Sequence, residues 1–318
     1  MPKSIFRTIG ILAALLMFGI GAAWPWARVP IITFVCFGLA ALGLMVLMRA
    51  GQVSFGHAMY AAIGGYATAF TIRTFPGIDG VVAIAVGVIV SVVIGAVIAA
   101  FVTRYRGIFF GMLNLGLSMV VFSLAGKLYG VTGGTDGLRF ERPSLLGIAM
   151  ERGPFELTMV GVALVLAVIL TGAVQRYFES ASGQIMAAIR TNETRLEYIG
   201  VSARAVFAQG YVLSAALVGL AGALLTLVQS LVTPESGYWI RSGEYVFIVI
   251  LGGSAHAIGA FLGAAVFELI KQAAAIYLTD AWQSLLGITL IAVILFAPQG
   301  LVGWRKRNVK ATLPREAR

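Results

Sequence analysis

The sequence is poor in charge. Asp, Glu, Lys and Arg make up 11% of its 318 residues, against about a quarter in an ordinary soluble domain. A water-soluble fold with so few charges could not cover its own surface, and that class is excluded. A single cysteine, Cys36, rules out an intrachain disulfide. Two histidines, His57 and His256, with that one thiol are too few for a structural zinc site. The phosphate cradle Gly-x-x-x-x-Gly-Lys-Ser/Thr is missing, because Gly126-Lys127 is followed by Leu128. The chain therefore has no nucleotide site of its own, and no bound cofactor is expected. Ser, His and acidic residues do not cluster as a hydrolase requires, so it is not expected to be an enzyme.

Apolar length is what the sequence has in plenty. Hydrophobic residues make up 59% of the chain and the mean hydropathy is +0.94. Apolar runs fall at 8–25, 30–48, 53–72, 80–103, 107–126, 156–175, 205–231, 244–254, 256–278 and 282–298. One crossing of a bilayer needs roughly 20 such residues. The run at 244–254 is short, ends at Gly252-Gly253-Ser254, and reads as a broken crossing, which is tolerated where it lines a cavity in the protein. The first run follows Lys3 and Arg7 and ends in Gly21-Ala22-Ala23, resembling a signal peptide with its cleavage site. A second run follows at once, so the first reads as a retained helix. The abundant glycine, including Gly107-x-x-x-Gly111 and Gly259-x-x-x-Gly263, suits close helix packing.

The net charge of +10 is spread between the runs rather than gathered in one patch, which argues against a nucleic-acid partner and for a lipid bilayer. With ten crossings and the N-terminus in the cytoplasm, fifteen of the 23 Lys and Arg residues fall on the cytoplasmic side. Seven fall outside, Arg241 among them, and Lys271 is left inside a span. This positive-inside bias favours an even number of crossings, with both termini cytoplasmic. Ten crossings divided by the loop at 127–155 give two groups of five. An odd number per group makes the halves opposite in orientation, the arithmetic of an inverted repeat. Ser54-Phe55-Gly56-His57 at the third crossing and Gly253-Ser254-Ala255-His256 after the eighth are its faint sequence trace. The expected fold is thus an all-α integral membrane protein of about ten transmembrane helices, some broken or short, in a 5+5 inverted repeat. A transmembrane domain spans 1–304, and a basic cytoplasmic tail follows at 305–318.

The cytoplasmic loop at 177–204 carries Ile185, Ile189, Leu196 and Ile199 near helical spacing, with Arg190, Glu193 and Glu197 on another face. It reads as a short amphipathic helix or helix pair, with Ser182 as N-cap and Gly200 as the stop. The mixed sign of its polar face fits a protein partner better than lipid, which would favour Lys and Arg alone. Glu268 and Lys271, at i, i+3 within the ninth crossing, can pair on one face. So few buried acids mildly favour drive by an external motor over drive by protons or sodium. Two class-level alternatives stay open on the residues alone: a motor-driven permease, and a stand-alone carrier or channel.

Four stretches, taken in order, resemble the permease subunits of bacterial branched-chain amino acid ABC importers, specifically the M-type of the two paired permeases. They are Gly51-Gln52-Val53-Ser54-Phe55-Gly56-His57, continuing through Gly64-Gly65-Tyr66, then Tyr105-Arg106-Gly107-Ile108-Phe109-Phe110 with Thr132-Gly133-Gly134 and Asp136-Gly137-Leu138. The third comprises Ser182-Gly183-Gln184, Ala187-Ala188-Ile189-Arg190, Asn192-Glu193 and Gly200, and the fourth is Leu295-Phe296-Ala297-Pro298-Gln299-Gly300-Leu301. The resemblance implies a homologous H-type permease as partner, two ATP-binding subunits holding ATP-Mg, and a periplasmic substrate-binding protein, in the bacterial inner membrane. It makes Ser182, Gly183, Arg190, Asn192, Glu193 and Gly200 the segment that docks on an ATPase subunit. Ser54, His57, Asn114, Ser254, Glu268 and Lys271 are the candidate lining of the translocation path. Thr132, Gly133, Gly134, Asp136 and Gly137 are the candidate outer-loop motif. The family usually has Arg at Gln184 and an acid at Thr191, and Gly111, Asn114 and Gly116 replace a common Ala-x-x-Thr-x-Ala. Relatives that carry urea, short amides or aromatic acids keep the solute open.

Overall fold

The computed structural model of the protein describes residues 3–277 and, beyond them, positions 284, 285, 287–289, 291, 295, 300 and 301. Most of the tenth apolar run, most of the Leu295–Leu301 motif and the basic tail lie outside the described residues. In chain order the elements are α1 (Lys3–Ala23), α2 (Arg28–Arg49), α3 (Ala58–Thr74), α4 (Gly80–Val102), α5 (Gly107–Lys127), α6 (Tyr129–Thr132), β1 (Leu138–Arg139) and α7 (Arg152–Glu179). There follow α8 (Ala181–Ile189), α9 (Glu193–Tyr198), α10 (Ala203–Gln229), β2 (Leu231–Val232), α11 (Trp239–Gly252) and α12 (Ile258–Tyr277). Each of the first nine apolar runs overlaps one of these helices. The helix ending at Arg49 and helices α4, α5, α7 and α10 are long and apolar enough to cross a bilayer. Prolines fall where they do least harm. Pro30 and Pro154 lie in the first turns of α2 and α7, where backbone N–H groups have no intrahelical acceptor.

Helices α2 and α10 form the centre, with 78% and 72% of their apolar windows buried, against 28–33% for α4, α5 and α7. Helix α10 packs on α2, α3 and α4. The outer helices turn large apolar side chains away from the protein, among them Ile89, Val93 and Val97 on α4 and Ile108, Phe109 and Met112 on α5. In water that surface would be a liability; against acyl chains it costs nothing. Helix α1 packs on α7, with Gly21 against Val160 and Phe18 against Gly161.

Two helices depart from the apolar pattern. The third run starts at 53, yet α3 begins only at Ala58, and residues 51–57 form a non-helical approach. The eighth run starts at 244, yet α11 begins at Trp239, and Arg241 and Glu244 pair within it at 3.0 Å, with Glu244 buried and Arg241 partly exposed. Arg241 thus lies in the first turn of α11 rather than in the loop before it. At 14 residues α11 spans about 21 Å at the 1.5 Å helical rise, short of a roughly 30 Å hydrocarbon core, and Gly253 at φ +86 ends it.

Opposite ends of the bundle carry different features, set apart by the 28 residues of α7, about 42 Å of helix. At one end the 128–151 segment is a folded strap. Its β1 pairs antiparallel with β2, Leu138 opposite Val232 and Arg139 opposite Leu231. The Asp79 carboxylate caps α4 and also accepts from the Gly147 amide at 2.8 Å. At the other end sits the helix pair α8–α9.

Candidate functional site

The non-helical stretch before α3 runs into a buried polar cluster. Ser54 and His57 are both fully buried, with His57 Nδ1 2.7 Å from the Ser54 hydroxyl. His57 Nε2 has no hydrogen-bond partner among the described residues. The His57 ring lies edge-on to Tyr60 and Tyr211, at 5.2 and 4.9 Å between centroids. Tyr60 donates to the Tyr211 hydroxyl at 3.0 Å, and Tyr211 donates to Asn114 Oδ1 at 2.5 Å. Asn114 Nδ2 donates to its own helix at Phe110 O, 2.8 Å away. A chain of hydrogen bonds thus joins α3, α10 and α5, the satisfied kind of polar network that an interior tolerates. The approach to α3 packs tightly on α5 here. Gly56 lies against the backbone carbonyl of Asn114, and a Cβ at that position would overlap it. Helix α11 meets the same place: the Ala58 amide donates to the Ser242 hydroxyl at 2.8 Å, and the Ser118 hydroxyl donates to Gly237 O at 2.6 Å. The first turns of two discontinuous helices, α3 and α11, are therefore in contact inside the bundle.

At the other level, α8 and α9 are a true helix pair. Ser180, not Ser182, caps α8 by accepting from the Gly183 amide, since the helix starts two residues earlier than its apolar pattern suggests. Asn192 caps α9 by accepting from the Arg195 amide at 3.1 Å, and Gly200 stops the pair at φ +80. Met186, Ile189 and Leu196 are buried, whereas Tyr198 and Ile199 are 85% and 73% exposed. Ile199 thus leaves the buried stripe to which its spacing assigned it. Two arginine anchors tie the pair to the bundle, and a glutamine links the neighbouring segments. Arg49 donates to Gly183 O and Phe178 O, both at 3.2 Å. Arg106 grips Glu193 with two bonds of 2.9 and 2.7 Å and lies over the Phe207 ring. Gln52 Oε1 accepts from the Gly107 amide at 2.6 Å, joining the approach to α3 with the start of α5. Glu193 therefore answers to Arg106 rather than to Arg190, whose side chain packs over Gly51.

A third group lies between α2, α11 and α12. Glu244, nearly buried, takes Arg241 at 3.0 Å and Lys271 at 3.3 Å. Both cations lie over the Phe37 ring. Glu268 is 8% exposed, and its Oε1 has no hydrogen-bond partner among the described residues.

Comparison with known proteins agrees with this architecture. The family described as branched-chain amino acid transport system / permease component matches residues 30–294. The chain belongs to that family. It is similar to the high-affinity branched-chain amino acid transport system permease protein LivM of Escherichia coli (strain K12), at 26% identity over 94% of this chain and 76% of the relative. LivM of Salmonella typhimurium is also 26% identical, over 92% of this chain and 74% of that one. A probable LivH of Methanocaldococcus jannaschii is 23% identical, over 84% of this chain and 89% of that one. No solved structure matches. As members of a permease family are multi-pass membrane proteins, the lipid-facing apolar surface of α4 and α5 has its explanation.

Of the residues singled out in the sequence, the structure gathers Ser54, His57 and Asn114 into one cluster of this permease, and Lys271 with Glu244 into another. Ser254 stands apart, half-exposed in the turn after α11. The Thr132–Gly137 motif is a compact turn: the Thr132 hydroxyl donates to Ala125 O and Leu128 O, and Tyr129 donates to Asp136 at 3.3 Å. Gly133, at φ +75, lies where a Cβ would overlap Gly137 O. The sequence reading missed Tyr60, Tyr211, Ser242, Arg49, Arg106 and Glu244. Arg106 stood in a quoted motif, but nothing near it in the chain pointed to Glu193, 87 positions away. The tyrosines gave none, because an aromatic on a span normally packs as core or meets lipid.

Proposed function

We propose that the chain is the membrane-spanning subunit of an ATP-driven importer, carrying a small polar solute of the branched-chain amino acid class across the bacterial inner membrane by alternating access. Its partners in this reading are a homologous H-type permease, two ATP-binding subunits that hold ATP-Mg, and a periplasmic substrate-binding protein that supplies most of the selectivity. The observation that carries the proposal is the helix pair. Its tip presents Tyr198 and Ile199 to the outside amid charges of both signs, while its base is bonded through Arg49 and Arg106 to the bundle. A surface helix meant for lipid would bury its apolar residues in the interface and display cations alone. When the ATPase dimer closes, the pair is pushed. Arg106 and Gln52 pass that displacement to the start of α5 and to the 51–57 stretch, which ends at His57.

Support for the ten-crossing, 5+5 inverted repeat comes from correspondence between the halves. Among the five helices long enough to cross, the deeply buried ones are the second and seventh crossings, α2 and α10. The discontinuous ones are the third and eighth, α3 and α11. Both pairs fall five apart, as the repeat requires. With both termini cytoplasmic, the α8–α9 end lies where the ATPase is.

The test is site-directed cross-linking. A photo-cross-linking residue at position 198, in membranes containing the whole transporter, is expected to capture the ATP-binding subunit. Uptake of leucine by the same vesicles is expected to require ATP. Capture of phospholipid only, with uptake indifferent to ATP, would overturn the proposal in favour of a stand-alone carrier.

A further inference from the structure

A strained residue stands at the tip of the 128–151 strap. Leu145 and Ile148 exchange both backbone hydrogen bonds at 3.0 Å, and the two residues between them, Leu146 and Gly147, have φ of +52 and +77. Positive φ at both central residues is the primed turn of a two-residue hairpin, which favours Asn, Asp or Gly at the first of them. Leucine there is strained, because its Cβ crowds the backbone and its side chain offers no local hydrogen bond. Contact within the protein does not offset that strain. Leu146 is 76% exposed, and Gly147, Ile148 and Ala149 are exposed beside it.

The hairpin is bonded to the entry of a lipid-facing crossing. The amide of Gly80, the first residue of α4, donates to Ser144 O at 2.7 Å. The Asp79 carboxylate accepts from the amides of both Val81 and Gly147 at 2.8 Å. Helix α4 has 23 residues, about 34 Å, against a hydrocarbon core of roughly 30 Å. Its first turn therefore lies at the edge of that core, and the hairpin lies there with it. Val81 and Val82 are exposed, as is Phe75 in the turn before α4. From Val81 to Phe101 every exposed residue of α4 is apolar, so the tip continues the lipid-facing surface without a polar break. Composition points the same way. Residues 143–150, Pro-Ser-Leu-Leu-Gly-Ile-Ala-Met, carry no charge, between Glu141-Arg142 on one side and Glu151-Arg152 on the other.

We infer that the hairpin at 145–149 is an interfacial anchor, which inserts Leu146 among the lipids of the leaflet at the β1 end. Burial of that side chain at the boundary between headgroups and acyl chains supplies the compensation that the protein interior does not. A tip shaped for a water-soluble partner would stand clear of the bilayer, whereas this one is tied to the first turn of a lipid-facing helix. Ile148, held back by its pairing with Leu145, stays at headgroup level within reach of water. The anchor does not depend on the importer reading and holds for either orientation of the chain.

The experiment uses the whole transporter in proteoliposomes, in a Cys36→Ala background. An environment-sensitive nitrobenzoxadiazole label is placed at Leu146→Cys, and its quenching is measured by aqueous iodide and by phosphatidylcholine carrying a doxyl group near the headgroup. Val97→Cys, exposed on α4, is the reference for lipid. Thr135→Cys, exposed elsewhere on the strap, is the reference for water. The label at 146 is expected to follow the lipid reference, with strong doxyl and weak iodide quenching. Leu146→Asn suits the left-handed backbone and removes the apolar side chain. It is expected to lower doxyl quenching of a label at Ala149→Cys by about twofold or more. The inference is overturned if the label at 146 follows the water reference. It is overturned equally if that label is shielded from both quenchers, because a protein then covers the tip. Doxyl quenching at 149 unchanged by Leu146→Asn would overturn it too, since Leu146 would not be what holds the hairpin in the leaflet.

Discussion

Gly56 tolerates no side chain, because a Cβ there would overlap the backbone of α5 at Asn114. Overpacking of this kind costs about 1–3 kcal/mol, and more where backbone must move. Gly56→Ala is therefore expected to lower the thermal stability of the detergent-purified protein. Gly126→Ala, where a Cβ meets nothing within 4 Å, is expected to leave it unchanged or raise it slightly. Equal behaviour of the two would mean that the contact at Gly56 is not tight. The neighbouring hydroxyl chain makes a graded prediction. Tyr211→Phe removes the donor to Asn114 and the acceptor for Tyr60, so two buried groups lose a partner, at about 1–3 kcal/mol for each group left unsatisfied. Tyr60→Phe removes only the first link and is expected to cost less. Thermal unfolding followed by fluorescence ranks them, and the reverse order would show that the chain does not run from Tyr60 through Tyr211 to Asn114.

Between the helix pair and the bundle the decisive contact is the two-bond grip of Arg106 on Glu193. Both side chains are about a quarter to a third exposed. Solvent therefore screens the pair, and its net worth to stability is small, about 1 kcal/mol or less. Its value lies in direction: a planar guanidinium on a carboxylate fixes orientation as well as distance. Glu193→Arg is therefore expected to leave the protein in the membrane at normal levels while lowering the solute moved per ATP hydrolysed. The double change Arg106→Glu/Glu193→Arg is expected to restore part of that ratio. Simultaneous assay of uptake and hydrolysis in vesicles reads it, and a swap no better than the single change would show that α5 is not moved through this contact. The helix pair itself was legible from the spacing of Ile189 and Leu196, and its stop from Gly200. The partner of Glu193 was not, because Arg106 lies 87 positions away in the chain, and periodicity reports only faces of one helix. The same limit hid the break before α3. Residues 53–57 adjoin the apolar run of α3 without a turn signal such as proline, and the packing of Gly56 on the distant backbone of Asn114 leaves no trace in hydropathy.

At the scale of the whole molecule, composition made the membrane legible at once, since length, hydropathy and spacing of runs depend on the solvent and not on tertiary contacts. Which helices lie at the centre was not legible: α2 and α4 are both strongly apolar, at mean hydropathies of 2.6 and 3.1, yet the first is buried and the second faces outward. Lipid and protein interior are equally apolar, so hydropathy cannot separate them. Orientation rests on the cationic bias of the sequence alone. The orientation makes the last prediction. In a Cys36→Ala background, Ile148→Cys lies on the strap at the β1 end and Glu197→Cys on the helix pair, both at exposed positions. A membrane-impermeant maleimide added to intact spheroplasts is expected to label position 148 at once and position 197 only after permeabilisation. The reverse pattern would put the helix pair outside the cell, out of reach of any cytoplasmic ATPase, and the route from Tyr198 through Arg106 to His57 would have nothing to drive it.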